Sequence, residues 1–258
     1  MSRSLLFRLQ AAGLHLLGSG MVIGAFLWLV YAYWYLPPYQ IVYSTLDVVK
    51  ILIAVDLVLG PLMTLIVFNV AKPRKELVRD LSLILALQLG ALSWGVYVTY
   101  SVRPQFLAFV GNTVYAVNGR DINLAELPDN IPRRVWNKPP VPVSVRGPQS
   151  QEEWKQHFND YYNNKVPELM YQPKRYRPYS ERTVHSTVPS LSATELGARG
   201  EAVAAWVDRV ESTEVASNMD YYTIMSGTFT SLAAVRKSDG VLTSVMPLPP
   251  VTPPKNKS

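Results

Sequence analysis

The chain has 258 residues, 48% of them hydrophobic, a formal net charge of +6 and no cysteine. The missing cysteine excludes a disulfide scaffold and any cysteine-based metal site or nucleophile, and the length is that of one or two domains. The apolar residues crowd ahead of Arg103, which predicts a membrane anchor first and a water-soluble domain second.

Three segments have the length of a spanning helix, about 20 mostly apolar residues each. They run roughly over 14–35 (LHLLGSGMVIGAFLWLVYAYWY), 48–70 and 81–102 (LSLILALQLGALSWGVYVTYSV), so residues 1–102 form the predicted membrane domain. The first is too long for a signal-peptide core and ends in Tyr33, Trp34 and Tyr35 instead of a small-residue cleavage site, so it reads as an uncleaved anchor. Arg3 and Arg8 precede it, and Lys72, Arg74, Lys75 and Arg79 lie between the second and third spans, whereas LPPYQIVYST between the first and second has no Lys or Arg. The positive-inside rule puts the N-terminus and the basic loop in the cytoplasm and everything after Arg103 on the far side, which is the periplasm for an inner-membrane protein of a Gram-negative bacterium. The basic surplus belongs largely to this orientation signal, so it does not indicate nucleic-acid binding.

From residue 103 to 248 the pattern predicts a small α+β domain with a sheet of four or five strands. QFLAFV and VYAVN alternate around Gly111-Asn112 as a hairpin does. The proline-rich passage that follows, PDNIPRRVWNKPPVPVSVRGP, reads as extended chain and not as a central strand. Ser150 and Glu153 make a capping-box signature ahead of a helix with Trp154, His157, Phe158 and Tyr161 on one face. SATELGARGEAVAAWVDRVES reads as a helix burying Leu196, Val203, Trp206 and Val210, with Gly197 and Gly200 weakening its start. DYYTIMSGTFTSLAAVRKSDGVLTSVMPL holds two or three strands with a turn at Ser238-Asp239-Gly240. Residues 249–258 read as a disordered tail.

No phosphate loop, dinucleotide fingerprint, HExxH or GxSxG occurs, and no cofactor or metal is expected. His157 falls on an apolar helix face and reads as a packed residue. His185, with Ser180, Glu181 and Ser186, sits in a polar loop, where short-range clustering is ordinary and does not define a triad. Tyr171, Arg175, Tyr176, Arg177 and Tyr179 are residue types favoured in interface hot spots and are candidate partner contacts.

The membrane segments carry more. A carboxylate at bilayer depth is costly and normally faces protein or water with a partner, yet Asp56 lies inside the second span, followed by the helix-interrupting pair Gly60-Pro61. His15 and Gln88 are the polar groups of the other spans that could meet it. One carboxylate with no second acid at similar depth favours helix packing or contact with a partner's helix over ion transport. Gly20, Gly24, Gly90, Ala91, Ser93 and Gly95 would allow close approach of helices, predicting a tight three-helix bundle.

DLVLGPLMTLIVFN (56–69), RDLSLILALQLGALSWGVY (79–97) and RPQFLAFVGNTVYAVNGRDI (103–122) resemble the TfpX/TfpZ family of type IV pilin accessory proteins, on Asp56, Gly60, Pro61, Thr64 and Asn69, then Asp80, Gln88, Ala91 and Gly95, then Arg103, Pro104 and Asp121. The resemblance implies a non-enzymatic, chaperone-like inner-membrane protein that works with the major pilin and promotes or modulates its stability and assembly. It further implies that Asp56, Gly60, Pro61 and Gln88 help to dock the pilin's membrane helix while the far-side domain holds the globular head, with pilus assembly platform proteins as further partners. Two other readings are a membrane-bound transferase that modifies pilin and a ligand sensor. Transferases of that kind use many more spans, and a sensor would need a cytoplasmic output domain.

Overall fold

The computed structural model describes residues 3–42, 50–51, 53–163, 165–179, 190–214, 218–227 and 229–248. The tail at 249–258 and the Ser180–Ser186 loop with His185 lie outside the described residues. The chain divides into two compact units, Met1–Trp34 with Ser44–Ser101, and Tyr35–Tyr43 with Val102–Ser258.

In the first unit, helix α1 (Arg3–Leu29) runs on into a π-helical turn, Val30–Trp34. Helix α3 (Ala54–Val67) opens with the π-helical stretch Ala54–Leu59 and continues as α-helix from Gly60 to Val67. Helix α4 covers Arg74–Ser101. By length and composition two helices could cross a membrane, Ser4–Trp34 and Arg74–Ser101, and Ala54–Val67 is shorter. Helices α1 and α4 each pack chiefly against α3. Gly20, Gly24 and Gly90, expected at helix contacts, face open space, whereas a Cβ on Gly60, expected only as part of a helix interruption, would lie 2.0 Å from Gln88 Nε2. Only Gly60 among these four is required by close packing. Three of the four cations placed in the loop belong instead to α4, where Asp80 pairs with Lys72 at 2.8 Å and with Arg79 at 3.3 Å.

The second unit is built on one seven-stranded mixed sheet, with strands β1 (Pro104–Val110), β2 (Thr113–Asn118), β3 (Val141–Val145), β4 (Tyr176–Pro178), β5 (Met219–Ser226), β6 (Phe229–Arg236) and β7 (Leu242–Pro247) in the order β4-β3-β1-β2-β5-β6-β7. The β1–β2 hairpin lies at the centre, with β3 parallel to β1 and β5 parallel to β2. Its turn uses Gly111 at φ 61, and the β6–β7 turn uses Gly240 at φ 70, conformations in which a side chain is strained.

The sheet has two strands more than the largest number expected, and β3 is the instructive one. It lies within the proline-rich passage, flanked by β1 and β4, where a proline should break the ladder. The register explains it: Pro142 pairs with Leu107 of β1, while β4 spans only Val143–Val145. On that side Pro142 therefore faces no partner strand.

Alternation along the strands separates the faces. Leu107 and Phe109 point to one apolar layer with Val114, Tyr222, Ile224, Ala233 and Val235. Phe106 and Ala108 point to the other face, with Val143, Met170 and Tyr176. The helical stretch read as continuous is two helices, α6 (Ala193–Gly197) and α7 (Glu201–Thr213), broken where Gly200 takes φ 135. Leu196, Val203, Trp206 and Val210 are all buried as the periodicity predicts, packed with Met219, Tyr221, Leu232 and Ala234, and Trp206 Nε1 donates to Ser244 Oγ at 2.9 Å.

The helix after Ser150, α5 (Gln151–Tyr162), begins as expected, with the Ser150 hydroxyl accepting from the Glu153 N–H at 3.1 Å. Its aromatic face is not covered: Trp154 stacks on Phe158, and both are exposed.

The segment after α1 belongs to this second unit. Residues Tyr39–Val42 form a single turn, α2, and Tyr39, 3% exposed, is part of the layer containing Phe109, Tyr222 and Leu242. The N–H of Leu242 donates to the Tyr39 hydroxyl at 3.3 Å, next to the bulge where Ala234–Val235 shifts register against β7. Sequence patterning treats this segment as a plain connection between spans, yet it supplies a core residue of the sheet domain.

Candidate functional site

The site grows from one backbone irregularity. In an α-helix the C=O of Asp56 would accept from the N–H of Gly60, but that N–H bonds to the carbonyl of Val55, five residues back. The next donor along is at position 61, where proline has none. The Asp56 carbonyl is thus left without a donor from its own helix. The side chain of Gln88, from α4, takes that place, its Nε2 donating at 3.4 Å.

Using its amide nitrogen in this way commits the Gln88 oxygen as an acceptor. His15 Nε2 of α1 lies 2.7 Å from Gln88 Oε1, so that ring nitrogen carries the proton. His15 Nδ1 and the Gly60 carbonyl lie 2.6 and 3.0 Å from Thr64 Oγ1, and the single hydroxyl proton of Thr64 serves both acceptors. Gly60 sits under this knot, and a Cβ there would also come within 3.1 Å of His15 Nε2. One polar cluster therefore ties together α1, α3 and α4, with a turn at Gly60-Pro61 that neither an alanine nor a regular helix would permit.

Asp56 is 4% exposed, and its Oδ1 has no hydrogen-bond partner among the described residues. It lines a groove of about 460 Å³ whose walls are Ala11, Leu14, Gly18 and Val22 of α1 and Leu81, Leu85, Leu89 and Leu92 of α4. His15, Thr64 and Gln88 lie on the same surface. Apart from these residues and Ser19, the groove is lined by apolar residues and Gly18.

Of the candidate residues, Asp56, Gly60, Pro61 and Gln88 come together in one place, and His15, considered as a partner for Asp56, joins them through Gln88. Thr64, present in the motif but given no role, completes the cluster. The π-helical turn has a sequence signal in hindsight, a proline five residues after a polar residue inside an apolar run.

The candidates in the sheet domain do not gather into a site. Tyr176 is fully buried, donates its hydroxyl to the Met170 carbonyl, and has its ionisation pushed well up by burial. Tyr179 packs its ring 4.9 Å from that of Phe109, and Tyr171 is half-buried beside the Phe106 layer. Arg175 donates from Nε to Gln172 Oε1 at 2.7 Å, and Arg177 from Nη1 to the Tyr176 carbonyl at 2.7 Å. These side chains join the β4 edge to its neighbouring turns.

No family model matches the chain, and no solved structure matches it. Among curated proteins it is 35% identical over 127 residues to a fimbrial assembly protein of serogroup E1 of Dichelobacter nodosus, a match covering 49% of each chain. It is 34% identical over 127 residues to the serogroup I protein, again covering 49% of each. A third protein from that organism, of serogroups C1 and C2, is 34% identical over 123 residues, 48% of this chain and 94% of its own length. The match thus spans about half the length of the first two relatives and nearly all of the third. On that similarity the chain belongs to the fimbrial assembly proteins.

Proposed function

We propose that the protein is a membrane-embedded accessory factor of type IV fimbrial assembly, of the TfpX/TfpZ kind, that binds the major pilin and modulates its stability and delivery without catalysing a reaction. The observation that carries the reading is the polar-floored groove of the helical unit, in a chain related to fimbrial assembly proteins. A pilin held before assembly needs its apolar helix sheltered, and a largely apolar groove suits such a helix. The sheet domain engages the pilin head, and assembly platform proteins receive the cargo.

The proposed topology has three crossings of the inner membrane, with α3 and the residues before it as the second. The burial of Tyr39 in the sheet domain supports it, because residues 35–43 and 102–248 then share one side of the bilayer. The arginines at 3 and 8 and the cations at 72–79 then fall on the cytoplasmic side.

Since the chain has no cysteine, single cysteines at Gln40, Lys75 and Asn112 report topology cleanly. A membrane-impermeant maleimide should label the first and third in spheroplasts and the second only after permeabilisation. Affinity purification of the full-length protein from native membranes should recover the major pilin, and deletion of its gene should reduce surface fimbriae. Unchanged fimbriation together with no pilin recovered would refute the proposal.

A further inference from the structure

The open groove runs the length of about three helical turns. Its α1 wall uses Ala11, His15, Gly18, Ser19 and Val22, and its α4 wall uses Leu81, Leu85, Gln88, Leu89 and Leu92. Both sets follow the spacing i, i+4, i+7, i+8, i+11, with Leu14 of α1 adding i+3 on the same helical face. Each wall is about 16 Å long at ~1.5 Å per residue, three turns. Helices α1 and α4 both pack on α3 and meet each other through His15 and Gln88 at the groove floor, so two stripes flank a third helix. A fourth helix laid between them completes a four-helix arrangement.

The floor says what that helix must carry. Asp56 Oδ1 is a buried acceptor with no partner among the described residues, set beside His15, Thr64 and Gln88 in a largely apolar surface. His15, Thr64 and Gln88 use their hydrogen-bonding groups on one another and on the backbone of α3. An acyl chain would cover the walls but leave that oxygen unsatisfied, a costly arrangement at bilayer depth. We infer that the groove between α1 and α4 receives an apolar membrane helix of a partner protein, and that this helix brings a hydrogen-bond donor to Asp56. The inference deepens the pilin-binding reading and rests on it for the owner of the helix, a pilin.

The test places a photo-reactive amino acid in the full-length protein in native membranes. Two probe positions lie on the walls, Leu14 and Leu85, and two face away from the groove, Met21 and Trp94. The expected result is a pilin adduct from the wall positions and none from the outward ones. D56L should cut wall adducts roughly tenfold, the worth of one interhelical hydrogen bond, while D56N, which keeps an acceptor, retains most of them. Gly18→Leu blocks the groove without an internal clash, since nothing lies within 4 Å of a Cβ there, and it should abolish the adducts while leaving the protein's thermal unfolding unchanged.

Equal adducts from wall and outward positions, adducts to lipid or to a second copy of this chain, or insensitivity to both D56L and Gly18→Leu would overturn the inference. If another membrane protein's helix is captured with the same dependence on Asp56, the groove assignment stands and the pilin reading falls. If pilin is captured only through a probe at Arg177 in the sheet domain, the pilin reading stands and the groove assignment falls.

Discussion

Replacing Tyr39 by alanine tests whether the segment after α1 is part of the sheet domain's core. The side chain is 3% exposed and packed with Phe109, Tyr222, Leu242 and Val245. Truncating a buried aromatic to alanine costs about 3–5 kcal/mol, a large share of the ~5–15 kcal/mol that holds a domain folded. For a domain of roughly 150 residues, each kcal/mol moves the midpoint by about 2–4 °C, so Y39A should lower Tm by about 10–15 °C. Tyr39→Phe keeps the packing and removes only the acceptor for the Leu242 N–H, a loss of about 1–2 kcal/mol and roughly 4–6 °C. The assay is thermal unfolding of the full-length protein in detergent, read alongside protease resistance of the sheet domain. Gln40→Ala, one residue along and exposed, is the control and should change neither. If Y39A unfolds within 2 °C of the unaltered protein (about the reach of 1 kcal/mol), the segment contributes nothing to that core and the argument fails.

Three further outcomes follow from the same geometry. Burial pushes the Tyr39 phenol from 10.0 up to about 12, so its contribution is complete below pH 10 and lost as pH rises through 12. Alkaline unfolding of Tyr39→Phe should accordingly show a shallower loss over that window, by about 2–3 kcal/mol at most, with Tyr176 and Tyr221, also raised by burial, keeping the remainder of the slope. Gly60→Ala should push Gln88 off both its partners and destabilise the helical unit by about 1–2 kcal/mol; in a Gln88→Ala background the same substitution should cost clearly less, and strictly additive Tm shifts would rule out the contact. Gly240→Ala combines φ 70 with a Cβ 2.8 Å from Pro142 and the Tyr179 ring, so it should destabilise the sheet domain by about 2–3 kcal/mol, read as a fall in protease resistance; unaltered resistance would show that the turn can relax.

What the sequence makes legible is what repeats over short distances. The stripe Leu196, Val203, Trp206, Val210 buries on one helical face, and QFLAFV alternates between the two layers of the sheet, so period alone finds both. Strand β3 was hidden because a proline's effect depends on whether a neighbouring strand reaches it, and β4 stops one residue short of Pro142. The exposed aromatics of α5 show the converse: period marks Trp154, Phe158 and Tyr161 as one face but says nothing of what covers that face.

The polar cluster stands between these cases. Asp56, Gly60, Pro61 and Gln88 are conspicuous because a polar group or proline in an apolar run is expensive at bilayer depth. Their connection, however, runs through a backbone carbonyl, and no pattern of side chains encodes that. The proline removes a donor, the π-turn diverts the glycine N–H, and Gln88 answers from a helix 32 residues away. The carboxylate is left with an oxygen that no described residue of its own chain engages, beside a groove with two helical walls. A residue kept in that condition within an apolar unit is intelligible when its hydrogen bond is made by another molecule, which is why the strongest test of this protein's role is the Asp56-dependent capture of a partner helix.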